Sequence, residues 1–93
     1  MNKNIIDSIK NKQRIQLEYN GKIRVIEPQC YGEGTKGNEL LRGYQIKGDI
    51  NKENRLFDLS KAKSIQVLDQ YFSTPGPGYR KGDKAMSKIF TEL

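Results

Sequence analysis

The chain reads as a small, mainly β domain: five short strands closing into a barrel, a short helix in front and a helical tail behind. Three observations predict this. Apolar residues Ile15, Leu17 and Tyr19 alternate with polar ones, and later runs at Arg24–Pro28, Leu40–Ile46, Arg55–Leu59 and Ser64–Leu68 read as short β segments. Turn residues punctuate those runs at Asn20-Gly21, Gly32–Asn38 and Gly48–Asn54. Finally, 93 residues with 34% hydrophobic content leave room for one modest core and no more.

The first helix is signalled by Asn2 or Asn4 as its cap and by Ile5, Ile6 and Ile9 on one face. It should fade near Asn11-Lys12. The strand carrying Ile15, Leu17 and Tyr19 then enters a hairpin with two candidate registers. A two-residue Asn20-Gly21 loop pairs Tyr19 with Lys22 and Leu17 with Arg24, which puts a charge among apolar groups. A three-residue loop with a bulge at Gly21 pairs Leu17 with Ile23 and Ile15 with Val25, leaving Arg24 on the solvent face. The apolar match favours the bulged register.

Pro28 cannot donate to a ladder, so the second strand should bend or reach an edge there. A third strand is expected from about Leu40 to Lys47, with a bulge or bend at Gly43. The fourth runs from Arg55 to Leu59 and the fifth from Ser64 to Leu68, joined by a one-turn linker. Short strands with a tight turn between the last two suggest a strongly bent barrel of the SH3 or Sm kind. This body spans residues 1–72, and residues 73–93 form a tail. Ser73–Gly78 reads as a Pro/Gly linker. Asp83 then caps a predicted helix whose Met86, Ile89, Phe90 and Leu93 share a face that docks on the barrel.

Charge narrows the function. Seventeen Lys and Arg against eleven Asp and Glu give a net charge of +6, which favours anionic partners such as nucleic acid or nucleotides. With no histidine, neither a Ser-His-Asp nor a Cys-His nucleophile can be built. Cys30 is the single cysteine, expected as a buried small hydrophobe in a reducing, cytoplasmic setting. No apolar run approaches the roughly 20 residues that span a bilayer, and no signal peptide is read. An enzyme would need two or more of Glu27, Asp49, Glu53 and Asp58 to converge, and the chain is read as non-catalytic, with no cofactor and no metal.

Two motif readings fail on spacing. Gly32-Glu33-Gly34-Thr35-Lys36-Gly37 is Gly-rich, but a phosphate loop needs Gly-Lys-Ser/Thr opening a helix, and here a strand follows. Asp49–Glu53 offers alternating oxygens but has Asn54 and Ser60 where a calcium loop needs Gly and Glu. The basic and aromatic residues form the better candidate. Arg24, Arg42, Arg55 and Lys61 would hold phosphates and Tyr44, on the same strand face as Arg42, would stack on a base. Tyr79, Arg80 and Lys81 would extend that surface from the tail.

The order of these runs resembles a WYL domain. The likeness rests on the leading helix, a strand ending in Tyr19, Asn20-Gly21, Arg24-Val25-Ile26-Glu27-Pro28, the Leu40-Leu41 strand, and Phe57-Asp58-Leu59 before Ile65-Gln66-Val67-Leu68. It covers roughly Ile5 to Phe72. Pro77-Gly78-Tyr79 and Asp83-Lys84-Ala85-Met86 are similar to the tail of short, stand-alone WYL-like proteins. The name-giving tripeptide aligns with Glu39-Leu40-Leu41, so its Trp and Tyr are absent. The family's Phe-Arg-Leu-Asp-Arg aligns with Phe57-Asp58-Leu59-Ser60-Lys61, which keeps only the last basic position. Arg24 matches the family Arg before Glu-Pro, and Tyr44 its third-strand aromatic.

The resemblance implies an Sm/SH3-like barrel that senses or binds a ligand, with single-stranded nucleic acid or a nucleotide as the expected partner and a role in regulation. The second expectation is a small protein-interaction subunit or inhibitor associated with a bacterial or phage defence system. No DNA-reading domain is expected ahead of the barrel, so the chain would act alone, as a homo-oligomer or as an accessory to another protein.

Overall fold

The computed structural model describes all 93 residues. Helix α1 (Lys3–Lys10) is followed by β1 (Gln13–Tyr19), β2 (Lys22–Glu33), β3 (Glu39–Lys47), β4 (Glu53–Asp58), a 3₁₀ turn (Leu59–Lys61), β5 (Ala62–Tyr71) and β6 (Lys88–Glu92). Asn2 is the helix cap, its side chain accepting from the N–H groups of Asn4 and Ile5 at 2.9 and 3.3 Å. Ile5 and Ile9 are buried, as their spacing predicts.

All strands pair antiparallel in one sheet of order β4-β3-β2-β1-β5, with β6 added on β2. The long strand β2 is the spine. Its Lys22–Ile26 pair with β1, its Val25–Glu33 with β3, and Cys30–Glu33 also with β6 on the other side. The sheet curls steeply. In a flat sheet β1 and β4 would stand roughly 14 Å apart, at about 4.8 Å per strand. Instead the rings of Tyr19 and Phe57 meet edge to face with centroids 5.0 Å apart, and the Tyr19 hydroxyl accepts from the Asp58 N–H. Inside the curl lies one core of Ile5, Ile9, Ile15, Leu17, Ile26, Tyr31, Leu41 and Phe57. Gly43 permits a close approach of β3 to β2: a Cβ there would lie 2.9 Å from Ile26 Cδ1 and 3.1 Å from the Glu27 carbonyl. Strands β4 and β5 are the two ends of the path and do not pair with each other, so the ladder is not closed.

Two expectations are corrected. The hairpin takes the two-residue turn: Asn20 and Gly21 have φ of 52° and 75°, and the register sets Tyr19 against Lys22, Leu17 against Arg24 and Ile15 against Ile26. Two positive φ values in succession mark the turn that matches the strands' twist. Ile23 is consequently turned outward, 50% exposed, and Arg24 inward, 2% exposed.

The tail helix does not form either; residues 88–92 are a strand. Ten residues make a marginal helix, whereas a strand satisfies the open edge of β2 beyond the reach of β1. Ile89 packs on a second small core of Cys30, Leu40 and Met86, while Phe90 meets the Tyr31 ring edge-on at 5.1 Å. An Ile-Phe pair that serves two cores mimics helical spacing in so short a run.

Candidate functional site

The predicted arginines divide between two places. Arg24 points into one end of the curl, where it forms a closed network. Its Nη1 donates to Asp49 Oδ1 at 2.9 Å and, more loosely, to Gln45 Oε1, while Nε and Nη2 both donate to the Tyr19 carbonyl. The guanidinium also lies over the Tyr19 and Phe57 rings at 5.4 and 6.0 Å. Gln45 is itself buried, and its amide donates to Asp49 Oδ1 and to the Ile50 carbonyl. The Gln45 amide, the Ile50 N–H and the two arginines beside it hold the Asp49 carboxyl down at about 2. Arg55 reaches the same oxygen at 3.5 Å. A loop after β3 is thus pinned to the sheet, and Arg24 has no face left for a ligand. Lys61 lies on the exposed 3₁₀ turn, away from this network, beside the Asp58 carboxylate that caps the turn.

Arg42 and Tyr44 share the outer face of β3, as their spacing predicts, but the tail crosses over both. Gly76 sits directly on Tyr44, so that a Cβ there would lie 2.5 Å from the ring's Cγ. Asn54 on β4 donates to Gln29 Oε1 at 2.8 Å, and Gln29 in turn donates to the Gly76 carbonyl. Arg42 Nε donates to Asp83 Oδ2 at 2.8 Å and Nη2 to Oδ1 at 3.4 Å. That guanidinium is the chief reason the Asp83 carboxyl lies below its ordinary value.

Between the tail and the outer face of β3 and β4 the chain leaves a cleft of about 560 Å³. It brings Arg42 together with Tyr79, Arg80 and Lys81, which the sequence assigns to the binding surface, and adds Lys84, Asn54 and Asp83, which it does not. Four cationic side chains border it against one carboxylate. Cys30 forms part of the wall; burial pushes its thiol up to about 12, so it is no nucleophile at neutral pH. Tyr79 is fixed by its hydroxyl, which donates to the Leu93 carbonyl. The cleft's missing members had one visible sign: Asp83 is the lone acid among Arg80, Lys81 and Lys84.

The other carboxylates serve separate elements. Glu27 pairs with Arg14 of β1 at 2.9 Å, and Asp58 holds the N–H and hydroxyl of Ser60. No three acidic or thiol groups gather as metal ligands. No helix is long and apolar enough to cross a membrane. No protein-family model, curated protein or solved structure matches the chain.

Proposed function

We propose that the chain is a non-catalytic binding module for single-stranded nucleic acid or a nucleotide, of the regulatory kind that the WYL resemblance implies. What carries the reading is the cleft: Arg42, Arg80, Lys81 and Lys84 border it against the single carboxylate of Asp83. Its volume suits a nucleotide-sized group. Tyr79, held at its hydroxyl, offers ring surface beside the cations. Arg24, Arg55 and Tyr44 are framework in this reading, and phosphate contacts pass to the tail. The barrel expectation belongs here too. The strand order β4-β3-β2-β1-β5 and the 3₁₀ turn joining β4 to β5 support an Sm/SH3-like parentage.

Anisotropy titration of labelled ten-nucleotide RNA and DNA at two salt concentrations tests it. Affinity should fall with salt at a slope near −0.7 per phosphate contact, hence about −2 for three free cations. Absence of binding to any oligonucleotide or mononucleotide at low salt overturns the proposal. A chain that fails this test yet co-purifies with a protein after nuclease treatment returns the function to the protein-interaction reading. The observation favouring that alternative is β5, ten residues long and paired on one side only.

A further inference from the structure

Asp83 occupies the position an incoming anion would take. Its two oxygens receive the Nε and Nη2 of Arg42, the forked arrangement that a phosphate or carboxylate ligand would use. The same residue closes the tail's last turn: its side-chain Oδ1 accepts from the Ala85 N–H at 3.0 Å, and its main-chain carbonyl accepts from the Met86 N–H at 3.2 Å. Beyond that turn, Met86 seats its sulfur 3.5 Å from Cys30 Sγ, and the Ser87 N–H donates to the Glu33 carbonyl at the start of β6. One carboxylate therefore holds both the central cation of the cleft and the turn that shuts the smaller core.

We infer that Asp83 is a built-in competitor for the ligand's anion. An anionic group that engages Arg42 displaces the Asp83 carboxylate, and the displaced side chain no longer accepts from the Ala85 N–H that opens the turn leading to Met86. Ligand binding is thereby coupled to loosening of the tail where it joins β6. The exchange conserves charge at Arg42, which trades one anion for another. The released carboxylate passes from a site where its side chain is 10% exposed to water, where it is hydrated. The coupling is reciprocal, so whatever loosens the turn must also favour the ligand. This inference rests on the cleft being the anion site proposed above.

The test uses the full chain with a ten-nucleotide oligouridylate as probe, and reads amide exchange at residues 85–87 together with probe affinity. In the wild type, saturating probe should speed exchange at these three amides several-fold. Asp83→Asn should bind the probe about three to five times tighter, the span of a partly exposed ion pair, and exchange faster without probe. Arg42→Gln should also exchange faster, yet bind more weakly. Equal loosening with opposite affinity separates competition from a merely structural pair, which would loosen both variants and leave their affinities alike. If the wild type binds the probe with unchanged exchange and Asp83→Asn binds no tighter, the competitor is overturned while the binding module stands. If none of the three chains binds, both readings fall. Should Asp83→Asn fail to fold, Asp83→Ser, which like Asn is neutral and keeps an acceptor for the turn, is measured against the same criteria.

Discussion

Arg24 and Arg42 sit on adjacent strands, and each meets one aspartate from a later loop, yet the two pairs are built in opposite senses. At the end of the curl the arginine is the hidden member, 2% exposed, and Asp49 faces water at 26%. In the cleft the arginine is the open member at 27%, and Asp83 is covered at 10%. An anion arriving from solvent can reach Arg42 but meets only a carboxylate on the way to Arg24. The same residue type is framework in one place and candidate receptor in the other. What separates them is which partner was desolvated.

The largest effect should come from breaking the framework side. Arg24→Ala removes the donors of the Tyr19 carbonyl and the stem packed beside Tyr19 and Phe57. It should cost about 3 kcal/mol in urea denaturation, the order for truncating a large side chain that is fully packed in the fold. Probe affinity of the folded fraction should hold, because no phosphate contact is lost. A cost within about 0.5 kcal/mol, the range of an ordinary surface substitution, would erase the distinction between the two arginines.

The same pair shows what could be read from the chain beforehand. Asn20-Gly21 announces a turn, and Ile15, Leu17 and Tyr19 announce a buried face; both are found in the fold. The register went astray because local pairing penalises a charge beside Leu17 and Ile15. The group that offsets it, Asp49, stands 25 residues further on. The cleft has the same character. Arg42, Tyr79, Arg80 and Lys81 are recognisable as basic and aromatic, but their meeting depends on an Arg42–Asp83 contact across 41 residues. The expected tail helix has a different origin: Ile89 and Phe90 pack on two different cores, so this strand repeats apolar residues without alternation. What was legible was local or periodic, and what was missed was settled by tertiary contact.

A smaller effect should follow from disturbing the cleft side without touching its charges. Gly76→Ala places a methyl group against the Cβ and Cγ of Tyr44, at 2.6 and 2.5 Å, near the backbone where the side chain has little freedom to yield. The tail must lift instead, at about 1–2 kcal/mol in denaturation. Amide exchange should rise over residues 73–78 and stay unchanged at Asp49 and Ile50. A rise at both ends would mean that the tail and the Arg24 network are one cooperative unit.

The finest distinction lies in acid. The Asp49 carboxyl titrates near 2 in the fold against 3.8 in an ordinary chain, mainly through the hydrogen bond from Gln45. A depressed folded value means that the added stability is complete above about pH 4, the ordinary carboxylate range, and is lost as pH falls through the folded value. Asp83 is lowered as well, chiefly by Arg42, and contributes in the same direction. Between pH 4 and about 2, Asp49→Asn should therefore lose stability less steeply than the wild type, so that the gap between the two curves narrows with acid. Added salt should shrink the effect, since the Asp49 carboxylate faces water and its charge interactions are screened. A gap that stays constant across that window would mean that Asp49 holds the loop by shape and hydrogen bonding alone. The contrast with Asp83 would then rest on burial and owe nothing to charge.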